Sequence, residues 1–284
     1  MLKQRLITAL VLIPIVIWLI FGLPTAVLAS IFGVIVLLGA MEWAKMVPCS
    51  TRATLLAFML VAAVLLIIGY FLAQSTIAVV LLTFVSVLWW FFVLTWLVQV
   101  RDSGHGEHHD GVVVRLAHVL SKTALDKAVI GLLLLVPCFV SVVFLHGSVD
   151  FGAAYVFFCL SLMWAADSGA YFAGKKWGRR KLAPGVSPGK TIEGVSGGMA
   201  MAAVWTLLWM IFAGLGETSP VMFFLIAMIA SVFSVAGDLF ESLFKRIANI
   251  KDSGHILPGH GGILDRIDSL LAGAPVFVFG LMFL

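Results

Sequence analysis

Long runs of apolar residues decide what this chain can fold into. A helix needs about 20 mostly apolar residues to cross the hydrocarbon of a bilayer. Because the hydrocarbon holds no water, the backbone N–H and C=O groups of a spanning segment must bond to each other, and a helix satisfies them within the segment itself. Nine runs approach the required length: 6–21, 25–41, 55–73, 77–100, 128–145, 151–166, 195–215, 221–235 and 270–284. We therefore predict an all-α, polytopic integral membrane protein with about nine transmembrane helices.

The composition excludes a soluble domain. Of the 284 residues, 62% are hydrophobic and only 11% are charged, far from the average for globular proteins. The three cysteines are isolated, with no pair at metal-ligand spacing, so neither a disulfide nor a zinc site is expected. The predicted organisation is residues 1–100 with four spans, 101–127 as a cytoplasmic loop, and 128–284 as a catalytic region with five spans.

The basic residues orient the chain. All 18 Lys and Arg residues fall in alternate gaps between the apolar runs. The charged residues of the intervening gaps are only Asp150 and Glu217. Cytoplasmic loops carry the excess of positive charge in membrane proteins. We predict a cytoplasmic amino terminus in the inner membrane, with the basic loops and any site among them facing the cytoplasm. Orientation also accounts for the high pI, so no nucleic-acid partner is predicted.

Acidic residues at the margins of the apolar runs mark candidate sites. Asp167, Asp238 and Asp265 stand where an acid is rare unless it faces a wet cavity, a partner or a metal. Asp167, Tyr171 and Lys175 share one helical face by their spacing of four residues. The basic cluster that follows, 175–181, fits either membrane orientation or substrate binding.

Two further features lie before the seventh run. Ser187 followed by Pro188 predicts a helix amino-cap and a first-turn proline. This interpretation puts Lys190 and Glu193 at the head of the seventh span. The neighbouring glycines at 169, 174 and 178 predict close helix packing.

The polar block 238–268 carries the strongest indication of chemistry. Asp238 begins a stripe with Glu241, Ser242 and Lys245 on one helical face, although a solvated helix extension would show the same pattern. Glycines then break the helix and let backbone N–H groups approach an anion such as phosphate. Asp265 and Asp268 follow in the first turn of the last helix, where simple capping would also favour them.

These acids and glycines together suggest a divalent cation. Two carboxylates beside an anion site would repel the anion unless a cation bridges them. Mg²⁺ is usually held by one or two carboxylates together with substrate phosphates. The mixture of acids, bases and glycines in this block therefore fits a phosphate site with Mg²⁺.

The segment 242–268, SLFKRIANIKDSGHILPGHGGILDRID, resembles the signature of the phosphatidate cytidylyltransferases, also called CDP-diacylglycerol synthases. The segment 167–193 is similar to the same family, whereas the first half of the chain agrees only in being helical and apolar. The matching signature positions are Ser242, Lys245, Arg246, Lys251, Asp252, His260, Gly261, Gly262, Asp265, Arg266 and Asp268.

The resemblance implies an activity, a cofactor and partners. Members of this family condense CTP with phosphatidic acid in the membrane, release pyrophosphate, and form CDP-diacylglycerol for phospholipid synthesis. It implies Mg²⁺, with either one cation or two, held by Asp238 and Asp265, and a homodimer. The implied phosphate-binding residues are Ser187, Lys190, Lys245, Arg246, Lys251 and Arg266.

The residues expected in the site form two sets. The catalytic set is Asp238, Asp265, Lys245, Arg246, Lys251 and Asp268. The substrate-binding set is Ser187, Lys190, Arg266, His260, Gly261, Gly262, Asp167 and Tyr171.

Two other functions stay open on the sequence. A CTP-dependent polyprenol kinase would also combine nucleotide chemistry with a membrane substrate. A membrane transporter would also place ionisable residues inside a helical bundle. Transporters of this kind have paired broken helices in corresponding halves, whereas the polar segments here lie in the second half of the chain.

Overall fold

The computed structural model describes residues 13–46, 51–103, 123–148, 152–213, 219–254, 256 and 261–283. These ranges contain nine helices and one two-stranded hairpin, which confirms the predicted all-α class. In chain order they are α1 (Ile13–Gly22), α2 (Thr25–Met46), α3 (Arg52–Leu72), α4 (Thr76–Ser103), α5 (Ala124–Gly147), α6 (Gly152–Trp177), β1 (Lys181–Ala183), β2 (Ser187–Thr191), α7 (Ile192–Phe212), α8 (Pro220–Ile247) and α9 (Leu264–Leu281).

Seven of these helices, α2 to α8, are long and apolar enough to cross a membrane. The predicted count of about nine is therefore approximate. The other two apolar segments are α1, of which ten residues are described, and α9, which has 18 residues and charges in its first turns. Residues 1–12, which include the start of the first run, and 104–122 of the expected cytoplasmic loop lie outside the described residues.

Contacts at the two ends of α2 and α5 show that these helices are antiparallel. Trp43 Nε1, near the end of α2, donates to Lys127 O at the start of α5 over 2.8 Å. At the other extreme, Thr25 Oγ1 lies 2.9 Å from His146 Nδ1. The carboxyl-terminal end of α2 also contacts the start of α9 and the end of α8, and the end of α8 bonds to the hairpin that joins α6 to α7. The carboxyl-terminal ends of α2, α6 and α8 therefore lie beside the amino-terminal ends of α5, α7 and α9 at one end of the bundle, which we call the polar end.

Glycines bring the site helices into close contact, as predicted. A Cβ on Gly169 of α6 would lie 2.6 Å from Gly197 O of α7, and one on Gly198 would lie 2.7 Å from Ala166 O. A Cβ on Gly237 of α8 would lie 2.6 Å from Asp268 O of α9. Such backbone approach is the usual basis of helix association in lipid. It fixes the spacing of the acids that these helices carry.

The helix α9 is central, whereas α3 is peripheral. Thirteen of the 18 residues of α9 are buried, and it packs against α8, α5, α4, α6 and α2. Its Phe277 contacts Phe158 and Phe223, with ring centroids 5.5 and 6.0 Å apart. Only four of the 21 residues of α3 are buried, and its exposed side is apolar, as expected of a surface in contact with lipid.

The prediction that Ser187 and Pro188 open a helix is wrong. Ser187 to Thr191 forms β2, which pairs antiparallel with β1. Thr191 is the residue that caps α7, because its side chain accepts a hydrogen bond from Gly194 N over 3.0 Å. Lys181 Nζ donates to Pro188 O over 2.7 Å, which holds the hairpin closed. Lys190 therefore lies on a strand before the helix, not in its first turn.

Candidate active site

Asp265 closes the loop between α8 and α9. Its Oδ1 accepts a hydrogen bond from Lys245 Nζ over 2.6 Å. Its Oδ2 accepts from Ser253 N over 3.1 Å and from Gly262 N over 2.8 Å, so it joins both ends of the loop. Gly261 has φ +81°, a left-handed conformation that glycine adopts without strain, and a Cβ there would lie 2.7 Å from Asp265 Oδ2. The glycines of the loop are thus needed for its close turn around Asp265.

Lys245 links this loop to the stripe predicted on α8. Its Nζ also lies 3.5 Å from Oε1 of Glu241, one turn earlier, and the Glu241 side chain is 1% exposed. Ser242 Oγ donates to Asp238 Oδ1 over 3.4 Å on the same stripe. The helix continues to Ile247, so the predicted spacing is confirmed. Lys245 is a shared cation between two buried acids rather than part of a solvated extension.

Four acids from three helices interact with one another at the polar end. Asp268 of α9 lies close enough to Asp167 of α6 and to Asp238 and Glu241 of α8 for its charge to interact with each of theirs. Ser269 connects two of them, because its Oγ donates to Asp167 Oδ2 over 3.4 Å and its N donates to Asp268 Oδ1 over 2.6 Å. So many carboxylates together are unfavourable unless cations neutralise them.

Lys190 supplies one such cation from the hairpin. Its Nζ lies 2.5 Å from Asp238 Oδ2, with the two side chains 24% and 27% exposed. Both residues line a cavity of about 400 Å³ that also includes Asp167, Tyr171 and Lys175. The predicted face of Asp167, Tyr171 and Lys175 is therefore a wall of this cavity. The cavity lies between α6, β2, α7 and α8, open to water-sized molecules and lined by groups of both charges.

Other predicted residues surround this centre at greater exposure. Arg246 is exposed, and its Nε donates to Val186 O over 3.2 Å, which ties α8 to the hairpin. Lys251 and Arg266 are also exposed, and Ser187 is half-buried. His260 lies outside the described residues. Because these basic side chains are exposed, binding of an anionic ligand would cost them little in desolvation.

Part of the basic cluster has aromatic partners. Lys175 Nζ lies 5.7 Å from the ring centroid of Tyr171, and Lys176 Nζ lies 4.8 Å from that of Trp177. Arg180 Nε pairs with Glu193 Oε1 over 3.0 Å. Exposed aromatic and basic residues together are typical of a membrane interface. Both interpretations of this cluster, orientation and ligand binding, stay compatible with these contacts.

Sequence reasoning missed Glu42. This residue of α2 is 0% exposed, and its Oε2 accepts hydrogen bonds from Ser253 Oγ and Leu264 N over 2.9 and 2.8 Å. The sequence predicts four spans in residues 1–100 and no candidate site residue among them. The signal was nevertheless present, since Glu42 is an acid directly after an apolar run, the same criterion that selected Asp167 and Asp238.

Metal binding requires several donors at one point. Among the described residues, no three His, Cys, Asp or Glu side chains converge closely enough to hold a metal ion by themselves. The acids at the polar end are spread along α6, α8 and α9. A cation there would need ligands from the substrate as well, which is how Mg²⁺ is commonly bound beside phosphates.

Comparison with known proteins gives a consistent result. Residues 3–284 match the model of the family described as "Cytidylyltransferase family". The chain is 41% identical to a phosphatidate cytidylyltransferase of Pseudomonas aeruginosa over 98% of this chain and 96% of that protein. It is 35% identical to one of Haemophilus influenzae over 98% of both chains, and 47% identical to one of Bacillus subtilis over 46% of this chain and 48% of that protein. Because the family match covers nearly the whole sequence, the chain belongs to the cytidylyltransferase family.

Proposed function

We propose that this protein transfers the CMP moiety of CTP to phosphatidic acid, giving CDP-diacylglycerol and pyrophosphate. Relatives named phosphatidate cytidylyltransferase, similar over 98% of the chain, support this activity. The structural observation that carries it is a cavity at the polar end that acids and lysines of α6, β2 and α8 line. The ion pair of Lys245 with Asp265 joins α8 to α9 at the same end. The reaction needs such a place, because two polyanions must come together at the membrane surface.

The chemistry requires positioning and charge neutralisation. A phosphate oxygen of phosphatidic acid attacks the α-phosphorus of CTP, a new P–O bond forms, and the bond to the β-phosphate oxygen breaks as pyrophosphate leaves. No protein nucleophile is required for this in-line displacement. Repulsion between the two phosphates opposes their approach, so Lys190, Lys245 and Arg246 would lower the barrier by offsetting negative charge. The exposed Lys251 and Arg266 are suited to bind the leaving phosphates.

The acids of the site fit a bound Mg²⁺. Carboxylate oxygens are the donors that Mg²⁺ prefers, and Asp238 lines the cavity together with Asp167. We propose Asp238 and Asp265 as ligands of one or two cations. Asp265 would have to exchange one of its contacts with Lys245 or the loop, and Asp238 would exchange its contact with Lys190. When bound, the cation supplies neutralisation of phosphate charge that the lysines alone provide only in part.

Membrane placement follows from the charge pattern. We propose that the polar end faces the cytoplasm at the inner membrane, because the basic residues gather there. CTP would then arrive from water, and phosphatidic acid would arrive within the bilayer beside the exposed Tyr171 and Phe172. We also propose a homodimer, as the family resemblance implies; crosslinking in native membranes would measure it.

A labelling experiment tests the activity against its rivals. Purified protein is incubated with Mg²⁺, phosphatidic acid, and CTP labelled either in the cytidine or at the γ-phosphate. We expect the cytidine label in the extracted lipid and the γ-label in released pyrophosphate. A polyprenol kinase would give the opposite distribution with polyprenol as substrate. Solute flux into liposomes without CTP would instead indicate a transporter.

Metal dependence is tested in the same assay. Removal of divalent cations with a chelator should abolish lipid labelling, and added Mg²⁺ should restore it. Full turnover in the presence of excess chelator would contradict the proposed cation. Asp126→Asn serves as the matched control for all carboxylate variants, because Asp126 caps α5 outside the cavity through Thr123 N, over 2.9 Å.

A further inference from the structure

A second carboxylate holds the loop that Asp265 closes, and it comes from the first half of the chain. Glu42 Oε2 accepts a hydrogen bond from Leu264 N, the first residue of α9. The amide groups of a helix amino terminus have no partner within their own helix and carry partial positive charge. Glu42 therefore satisfies the amino terminus of α9 from a distant helix.

Ser253 is shared by the two carboxylates. Its backbone N donates to Asp265 Oδ2, and its Oγ donates to Glu42 Oε2. Ser253 is 1% exposed. The loop is thus held from both sides at this residue, by α9 through Asp265 and by α2 through Glu42.

Steric contacts reinforce this arrangement. A Cβ on either Gly254 or Gly262 would collide with the carboxylate of Glu42. Both glycines are buried. The loop backbone therefore lies directly against the Glu42 side chain, and its position depends on where that side chain stands.

Glu42 is itself fixed by its neighbour. Trp43 is 1% exposed, bonds to Lys127 O of α5, and packs against Phe244 of α8 with ring centroids 4.8 Å apart. A Cβ on Gly131 of α5 would collide with the Trp43 ring. Because Trp43 anchors this end of α2 to α5 and α8, the neighbouring Glu42 has a fixed position against which the loop packs.

We propose that Glu42 is a positioning residue for the transferase reaction. It sets the loop between α8 and α9 so that Asp265, Lys245 and the backbone of Gly261 and Gly262 stand correctly against the triphosphate. This inference rests on the proposed function and deepens it, because it assigns part of the site to the first half of the chain. Glu42 does not itself touch substrate; it acts through Ser253 and Leu264.

The test compares Glu42→Ala, Glu42→Gln, Ser253→Ala and the double variant Glu42→Ala with Ser253→Ala. Loss of hydrogen bonds to a buried charged group predicts a fall in kcat/KM for CTP of about 100-fold in Glu42→Ala. Glu42→Gln keeps an accepting oxygen, so it should lose only about 10-fold. The double variant should be no slower than Glu42→Ala alone, because the Ser253 side chain acts through Glu42.

The Michaelis constant separates positioning from simple instability. Fewer folded molecules lower kcat but leave KM unchanged, whereas a displaced loop should raise KM for CTP by about 10-fold. Amide hydrogen exchange in peptides from 251–264 should be faster in the variants than in the wild-type protein. This measurement does not require enzyme activity. Should Glu42→Ala not fold, Glu42→Gln and Ser253→Ala carry the comparison.

Three results would overturn the proposal. The first is an unchanged KM and kcat/KM in folded Glu42→Ala or Glu42→Gln. The second is a double variant in which the effects of Glu42→Ala and Ser253→Ala multiply. The third is unchanged hydrogen exchange of peptides from 251–264. Asp126→Asn should leave all three quantities at wild-type values. If the wild-type protein itself transfers no cytidine label, the proposed function fails. That failure is distinguishable from failure of the Glu42 proposal, because it is seen in the wild-type protein before any variant is measured.

Discussion

The two ends of the helical bundle contain polar groups of very different kinds. Besides Glu42, the polar end brings together five carboxylates, at positions 167, 238, 241, 265 and 268, with the amines of Lys190 and Lys245. At the opposite end, the His146 ring bonds to Thr25 Oγ1 over 2.9 Å and to Ile20 O over 2.8 Å. A cavity of about 650 Å³ there is lined by uncharged groups such as Tyr70, Gln74 and Ser148.

Cavity size therefore does not identify the site in this protein. The larger cavity lies at the uncharged end, whereas the smaller one, about 400 Å³, is lined by two acids and two lysines. Buried charges destabilise a fold unless their interactions offset the loss of hydration. Different helices line the two cavities: α6, α7 and α8 at the polar end, and α2, α3, α4, α5 and α9 at the opposite end. The uncharged lining of the larger cavity shows that helix ends in this bundle can pack without charges. We propose that the polar end serves function and the opposite end serves stability.

The sharpest test of this division is Asp238→Asn. The change keeps the size of the side chain but removes the charge that faces Lys190 and the proposed cation. We expect kcat to fall by about 1,000-fold or more, as expected when a group that neutralises transition-state charge is lost. Incorporation of labelled cytidine into lipid measures this rate. Asp126→Asn should keep wild-type turnover, and Asp238→Asn with turnover within about tenfold of wild type would contradict the division.

The next largest effect is expected from Lys245→Met. This change leaves Asp265 and Glu241 without their shared cation, and removing one partner of a buried ion pair costs about 3–5 kcal/mol. We expect kcat/KM to fall by about 100-fold, because Asp265 without its bond to Lys245 would position the loop less precisely. The midpoint of thermal unfolding should also fall. Tryptophan fluorescence in detergent follows unfolding, and the lipid-labelling assay follows turnover.

A second substitution separates the two effects of Lys245. Adding Glu241→Gln to Lys245→Met removes one of the uncompensated charges, so part of the lost stability should return. Turnover should stay low, since no amine faces Asp265. Recovery of both quantities together would mean that Lys245 acts on stability alone.

Much of the polar end was predictable from the sequence. The stripe from Asp238 to Lys245 follows from helical spacing, and the face of Asp167, Tyr171 and Lys175 follows in the same way. Both predictions depend on local periodicity, which a helix fixes within a few residues. Which acids face one another across helices does not follow from periodicity, because that depends on how α6, α8 and α9 approach.

The features that were missed depend on contacts between distant segments. Glu42 bonds to Ser253 and Leu264, which lie more than 200 residues later in the chain. Nothing in the sequence around either partner indicates that a distant carboxylate binds there. The segment Ser187 to Thr191 has the Ser-Pro pattern of a helix start, yet β1 supplies a pairing strand and Thr191 a better cap. Tertiary pairing overrode the local preference there.

Close packing of α6 on α7 links stability to the site, so Gly169→Ala should affect both. The added Cβ would meet the backbone oxygen of Gly197 at 2.6 Å, and backbone cannot move aside without separating the helices. Lys190 on the hairpin would shift relative to Asp238. We expect kcat/KM to fall by about tenfold, since misplacement of a binding group by a fraction of an ångström weakens transition-state contacts.

Gly33→Ala is the matched control for this packing change. A Cβ on Gly33 of α2 would lie 3.5 Å from the Phe139 ring, an ordinary contact far from the hairpin. Its turnover should stay within about twofold of wild type. Equal losses in the two glycine variants would show that the activity responds to any added methyl group rather than to the α6 and α7 contact.

The smallest effect is expected at the opposite end, from His146→Ala. The change removes two hydrogen bonds that tie α5 to α1 and α2, and interhelical bonds of this kind in membranes contribute about 1 kcal/mol together. The thermal midpoint should fall by a few degrees, whereas kcat and KM for CTP should stay unchanged. Both are measured on the same purified sample.

This variant completes the comparison because it disturbs the contact of α5 with α2, the helix that carries Glu42 and Trp43 at its other end. A loosened contact at Thr25 should leave Glu42 in place, since Trp43 anchors α2 to α5 and α8 independently. A rise in KM for CTP in His146→Ala would mean that α2 moves as a rigid rod and transmits disturbance along its length. Unchanged kinetics with reduced stability would instead establish that each end of α2 is fixed by its own contacts.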